Sequence, residues 1–77
     1  PDIPLPRRAL EDGCIWIVTL ITQAGFAASG SDARRLVTQG AVTIDDTKVS
    51  DPAAKVKVAT GQVLKVGKRR FGRIVVG

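Results

Sequence analysis

Gly25-Phe26-Ala27-Ala28-Ser29-Gly30-Ser31-Asp32-Ala33-Arg34-Arg35-Leu36-Val37-Thr38-Gln39-Gly40-Ala41-Val42-Thr43-Ile44 is the stretch that decides the fold. Ser29 is a residue type that caps helix starts, and Asp32, three positions on, stands where a capping box holds its acidic member. Ala33, Leu36 and Val37 then form a helical apolar stripe. Gly40 supplies the left-handed backbone that closes a helix, and Ala41 is placed to fold back on Leu36. A helix is therefore expected between Ser29 and Gly40. Beyond Gly40 the apolar period drops from 3.6 to 2, with Val42 and Ile44 pointing one way and Thr43 and Asp45 the other. A strand is expected to begin there.

Residues 14–24 carry two signals. Ile15, Ile17, Val18 and Ile21 are β-branched and favour a strand, whereas Ile17, Leu20, Ile21 and Ala24 share one helical face. Gly25 suits the position just past a helix end, with Phe26 folding back on Ile21, and this decides for a helix. Two short helices joined by Gly25 to Ala28 make a helix–turn–helix hairpin. Downstream, Asp45-Asp46-Thr47 reads as a tight turn, Lys48 and Val49 as the start of the return strand, and Asp51-Pro52 as a second turn. Lys55 to Val58 alternates as a strand does, and Gln62 to Val66 reads as another strand. Gly67-Lys68 is expected as a two-residue hairpin turn and Arg69 to Val76 as the last strand. There Phe71 and Val75 share one face, Ile74 and Val76 the other. Either both faces are partly covered or a bulge at Gly72 shifts the register. The fold class is α+β: two short helices in a helix–turn–helix hairpin followed by a small antiparallel β-sheet. Residues 1–8 hold three of the four prolines. Residues 1–12 are thus expected to be a linker or arm from an upstream domain, and residues 13–77 the folded domain.

The chain has 77 residues and a net charge of +5, with one Cys and no His. That length is one domain with a small core. The absence of His excludes histidine general bases and His metal ligands, and a single Cys excludes an internal disulfide. No phosphate-binding loop or nucleophile elbow is present, and Asp45-Asp46 face opposite sides of a strand, so they read as turn formers; no catalytic constellation, metal or cofactor is expected. The apolar run from Cys14 to Ile21 is far below the ~20 residues that span a bilayer, and no signal peptide is recognisable. Cys14 is expected as a small core residue, and a lone thiol fits a reducing, cytoplasmic setting.

The charge is unevenly placed. Residues 1–33 set Arg7 and Arg8 against four acids, and residues 34–77 set ten cations against Asp45, Asp46 and Asp51. Arg34 and Arg35 lie away from Leu36 and Val37, behind a turn where Ser29 and Ser31 offer N–H and hydroxyl donors; such an arrangement suits phosphate. A solvated face with an Asp32–Arg35 pair is the alternative use of the same residues. Lys68, Arg69 and Arg70, then Arg73, gather cations at a hairpin that can straddle a nucleic-acid backbone, or that merely guards a sheet edge. Of the aromatics, Trp16 is expected in the core, and so is Phe71, in preference to stacking. The pattern favours phosphate and shape recognition of structured RNA over base stacking.

Residues 25–44 resemble the signature of the S4-like RNA-binding domain, or alpha-L motif: a helix ending in Gly, a Ser cap, an acidic-Ala-Arg-Arg-Leu run, then Gly-x-Val and a hairpin. Gly13 to Ile17, Lys48 to Pro52 and Val66-Gly67-Lys68-Arg69-Arg70-Phe71 further resemble the C-terminal domains of bacterial-type tyrosyl-tRNA synthetases, so that the likeness covers nearly all of residues 12–76. The resemblance implies a tRNA-binding appendage for tRNA(Tyr), touching the long variable arm and anticodon stem. It implies catalytic and anticodon-binding domains upstream in a homodimeric parent enzyme. The RNA-binding positions it implies are Ser29, Ser31, Arg34, Arg35, Lys48, Lys68, Arg69, Arg70 and Arg73. The chain departs from the family pattern at Asp32, where Glu is usual, and at Asp45-Asp46, where Asn-Gly is common. It lacks the synthetase ATP-site signatures, so no activation of tyrosine is expected of these residues. Other readings are a ribosomal-RNA-binding domain, including that of a pseudouridine synthase, and a protein-interaction module with no RNA role.

Overall fold

The computed structural model describes residues 2–77; Pro1 of the expected arm lies outside the described residues. The elements run β1 (Asp2–Leu5), a 3-10 turn (Arg7–Ala9), β2 (Cys14–Trp16), α1 (Ile17–Gln23), α2 (Gly30–Thr38), β3 (Val42–Ile44), β4 (Thr47–Lys48), β5 (Lys55–Lys57), β6 (Val63–Val66) and β7 (Arg70–Val76). The α+β class expected from the sequence is the one observed.

The two helices end by the same device. At the end of α1, Gly25 takes φ +77°, and the N–H groups of Gly25 and Phe26 donate to Thr22 and Ile21 carbonyls. At the end of α2, Gly40 takes φ +74°, and the N–H groups of Gly40 and Ala41 donate to Val37 and Leu36 carbonyls. Both are Schellman closures, which satisfy carbonyls a helix end would leave orphaned. Their starts differ. Ser29 caps α2, its Oγ accepting from the Asp32 N–H at 3.3 Å. Trp16 precedes α1 without a side-chain cap, and the Ile17 N–H instead donates to the Ala54 carbonyl at 2.9 Å.

That borrowed cap goes with a correction. The segment expected as helix from residue 14 is strand over Cys14–Trp16, paired antiparallel with Lys55–Lys57 in a separate two-stranded sheet. Ile15 sits opposite Val56 and is buried. The β-branched signal wins for three residues because a distant strand supplies the partner, and the helical signal wins from Ile17, where four of seven residues are buried. Cys14, expected in the core, is only partly buried.

The main sheet has five strands in the order β1-β7-β6-β3-β4. It is mixed rather than antiparallel, because β1 runs parallel to β7, with Ile3 beside Ile74 and Leu5 beside Val76. The proline-rich start, expected as an arm, is here an edge strand with Ile3 and Leu5 in the core. Pro4 stands at an edge, where a missing N–H is tolerated. No bulge interrupts β7: Val63 to Val66 pair in unbroken register with Arg73 to Arg70. That register leaves a three-residue tip, Gly67 to Arg69, in place of the expected two-residue turn.

Every buried residue among those described is apolar. Leu20 and Ile21 of α1, Val37 of α2, and Val42, Leu64 and Ile74 of the sheet are each fully enclosed. The inner sheet face is thus covered by the helices, and its outer face is left to solvent. No helix among the described residues is long and apolar enough to cross a membrane.

Candidate nucleic-acid interface

All nine residues expected to meet RNA are exposed, but their side chains are employed differently. On α2, Ser29 is engaged as the cap and Ser31 lies in the first turn. The Arg34 guanidinium rests 5.4 Å from the centroid of the Trp16 ring. Trp16 is itself held, its indole N–H donating to the Pro52 carbonyl at 2.7 Å. Trp16 is therefore only part core; its ring also serves as a shelf that orders one arginine, a contact worth about 0.5–1 kcal/mol at an exposed site. Arg35 has no carboxylate within ion-pair distance; the ion pairs among the described residues are Lys55–Glu11 and Arg73–Asp2. The alternative Asp32–Arg35 pair does not form.

At the hairpin, the Arg70 guanidinium donates to the Phe26 carbonyl in the turn between α1 and α2. On the hairpin's other limb, the Gly67 N–H donates to the Ala41 carbonyl at 2.7 Å, just past α2. The Arg70 bond thus straps the β6–β7 hairpin to the turn before α2, while the Gly67 bond continues the β3–β6 ladder by one rung. Arg73 stays apart: it pairs with Asp2 at 3.4 Å, both side chains being about 60% exposed. Such a pair is worth at most about 1 kcal/mol.

Lys48 approaches the end of α2 from β4. Its side chain lies along Gly40, where an added Cβ would stand 3.4 Å from the Lys48 ammonium nitrogen. A cation is favoured there by the carbonyl end of α2. Beside it, an open depression of about 650 Å³ is bounded by Gly40, Ala41, Asp46, Lys65 and Lys68. Lys65 belongs to this rim and was missing from the sequence-derived set. Its signal was present: it alternates with buried Leu64 and Val66, which turns it outward, three residues before Lys68.

One expectation is corrected at the outer sheet face, and one departure from the family pattern is accounted for. Phe71, expected in the core, is 52% exposed. In β7 the inward positions fall to Gly72 and Ile74, so strand alternation turns Phe71 out beside Lys65, its register partner. The Asp45-Asp46 turn, expected as a tight turn and lacking the Gly common there, takes φ +49° and +67°, the mirror-image geometry of a two-residue hairpin. Asp45 is held by β6: its N–H donates to the Val63 carbonyl, and its carboxylate accepts from the Val63 N–H at 3.0 Å. Those bonds offset the backbone cost and commit Asp45 to structure.

Among the described residues, Arg35, Lys48, Lys68 and Arg69 are exposed cations without a carboxylate partner. A family model described as the S4 domain matches residues 15–64, from β2 to β6. The chain is 47% identical over 75 residues to the tyrosine–tRNA ligase of Moorella thermoacetica, covering 95% of this chain and 18% of that protein. It is 45% identical over 76 residues to that of Symbiobacterium thermophilum, covering 99% and 18%. With that of Syntrophotalea carbinolica it shares 48% over 75 residues, covering 96% and 18%. The chain therefore spans about 18% of the length of these relatives. The helical hairpin closed at Gly25 and Gly40, the sheet that follows it and the match across residues 15–64 agree: this chain belongs to the S4 domain family of RNA-binding domains.

Proposed function

We propose that this chain is the tRNA-binding C-terminal domain of a tyrosine–tRNA ligase, and that it grips tRNA(Tyr) by phosphate and shape while catalysis takes place on other domains of a homodimeric, cytoplasmic enzyme. The observation that carries the reading is a set of exposed cations without carboxylate partners: Arg34 and Arg35 on α2, Lys48 beside its end, and Lys68 and Arg69 on the strapped hairpin. Relatives that are tyrosine–tRNA ligases along nearly the whole of this chain support the choice of RNA. In this reading residues 1–12 enter from the upstream domain and end as strand β1 on the sheet. A tethered domain needs only modest affinity, because linkage to a body already on the tRNA raises its effective concentration.

Titration of the chain with tRNA(Tyr) transcripts, with and without the long variable arm, while following backbone amide shifts, tests this. The expected result is tighter binding of the complete transcript, with shifts confined to α2, Lys48 and residues 65–70. Arg34→Ala with Arg35→Ala should weaken it. Equal binding of an unrelated duplex, together with no effect of the double substitution, would sink the proposal.

A further inference from the structure

The reading above leaves the outer sheet face without a role. Soluble domains do not often present a Phe more than half exposed beside further apolar surface. Here Phe71 is 52% and Val63 41% exposed, next to each other on β7 and β6, since Val63 pairs with Arg73 and Lys65 with Phe71. They line an open groove of about 410 Å³ that has Lys65 and Lys68 on its rim and the Asp45-Asp46 turn at its margin. Resting on the RNA-binding reading, we propose that this groove takes one unpaired nucleotide of the bound RNA, its base stacked on Phe71 and its phosphate held by Lys65 and Lys68.

Four observations favour a nucleotide over an apolar protein segment. The apolar surface is about the size of one ring, and it is bordered by two ammonium groups with no carboxylate within ion-pair distance. A base is flat and apolar on its face and carries an anion one sugar away, which matches a ring beside lysines. Trp16 cannot serve in the same way, because Arg34 already covers its ring. Asp46 adds an acceptor to the groove's lining. It is exposed and its neighbour Asp45 is already engaged by Val63. A carboxylate there accepts from the N–H donors on a base edge. Lys65 and Lys68 stand on the rims of both this groove and the depression beside Gly40, so an RNA strand held by Lys68 passes the groove's mouth.

The test uses the 77-residue chain and two hairpin RNAs of one sequence, one fully paired and one with a single unpaired adenosine in its stem. The chain should bind the bulged RNA about fivefold or more tightly than the paired one, the fold-change expected for one stacked base. Phe71→Ala should abolish that advantage while leaving affinity for the paired RNA and its salt dependence unchanged. Phe71→Tyr should restore the advantage. The Phe71 ring protons should shift upfield on addition of the bulged RNA only. Because Phe71 is half exposed, the unfolding temperature of Phe71→Ala reports whether a loss of binding is merely a loss of fold. Equal binding of the two RNAs by the unsubstituted chain overturns this inference but leaves the RNA-binding reading standing; failure to bind either RNA overturns the reading itself. If Phe71→Ala leaves RNA binding intact and instead abolishes self-association in sedimentation, the patch is a protein interface and the inference is wrong.

Discussion

Helix α2 and the β6–β7 hairpin each carry adjacent cations, and each puts one of them to work holding the fold. On α2 the anchored residue is Arg34, laid on the Trp16 ring, while its neighbour Arg35 has no such contact. On the hairpin the anchored residue is Arg70, bonded to the Phe26 carbonyl, while Lys68 and Arg69 at the tip have no carboxylate partner. The anchors differ in kind. A ring face is a broad, tolerant partner that steadies a guanidinium but leaves its edge free for phosphate. A carbonyl is directional and uses up donors of the fork. The contrast teaches that the cationic positions inherited from the family signature are not equivalent binders: α2 presents two arginines to a ligand, whereas the hairpin spends Arg70 on bringing its tip to the helices.

Breaking the hairpin's anchor is the change with the largest expected effect on the fold. Arg70→Ala removes a charged donor from the Phe26 carbonyl and with it the strap to the helical turn. The expected loss is about 0.5–1.5 kcal/mol. In a domain of this size that corresponds to a fall in Tm of several degrees, at roughly 4–8 °C per kcal/mol. Arg69→Ala makes the same change of charge one residue away, with no strap to break, and should leave Tm in place. Equal Tm values for the two variants in calorimetry would erase the distinction between anchored and free cations at this site.

A smaller effect is expected on α2. A double-mutant cycle on Trp16→Leu and Arg34→Ala isolates the ring contact from the separate loss of the indole bond to Pro52. The expected coupling is about 0.5–1 kcal/mol. The parallel cycle with Arg35→Ala should give a coupling indistinguishable from zero. A coupling at Arg35 as large as that at Arg34 would mean that the cations of α2 act as a general field on Trp16, not as one ordered and one free side chain.

These contrasts mark where the sequence was legible. Local rules were enough for both helix ends, since Gly25 and Gly40 close their helices by bonds within six residues and Ser29 caps its own third residue. They were enough also for the outward turn of Lys65, once β6 is recognised as alternating. They failed wherever the deciding partner is distant. Cys14–Trp16 is strand only because Lys55–Lys57, some forty residues away, pairs with it. Asp2–Leu5 is strand only because β7 lies open beside it, and its prolines gave the opposite signal. Phe71 faces out because Gly72 and Ile74 take the inward positions, a register choice that the last strand's own pattern left open. The anchors of Arg34 and Arg70 follow the same logic: Trp16 and Phe26 lie 18 and 44 residues away, and no spacing rule connects them.

The last and smallest effect on the fold is at the tip. Lys68 is exposed, has no carboxylate partner and takes no part in the strap, so Lys68→Ala should keep stability within about 0.5 kcal/mol of the unsubstituted chain. Its consequence should appear only with RNA present. A lysine that neutralises one phosphate releases about one condensed counterion, so its removal should lessen the slope of log affinity against log salt by roughly 0.7–0.9. Arg73→Ala is the paired measurement, because Arg73 carries the same charge but already faces Asp2 at 3.4 Å. Its slope should change by less than that of Lys68→Ala, since the Asp2 carboxylate has displaced part of the counterion that phosphate would otherwise release. If removing Arg73 lessened the slope as much as removing Lys68, its pairing with Asp2 would have to open on binding. Asp2→Asn should then tighten RNA binding at low salt, and the line between free and committed cations would depend on the ligand rather than on the fold.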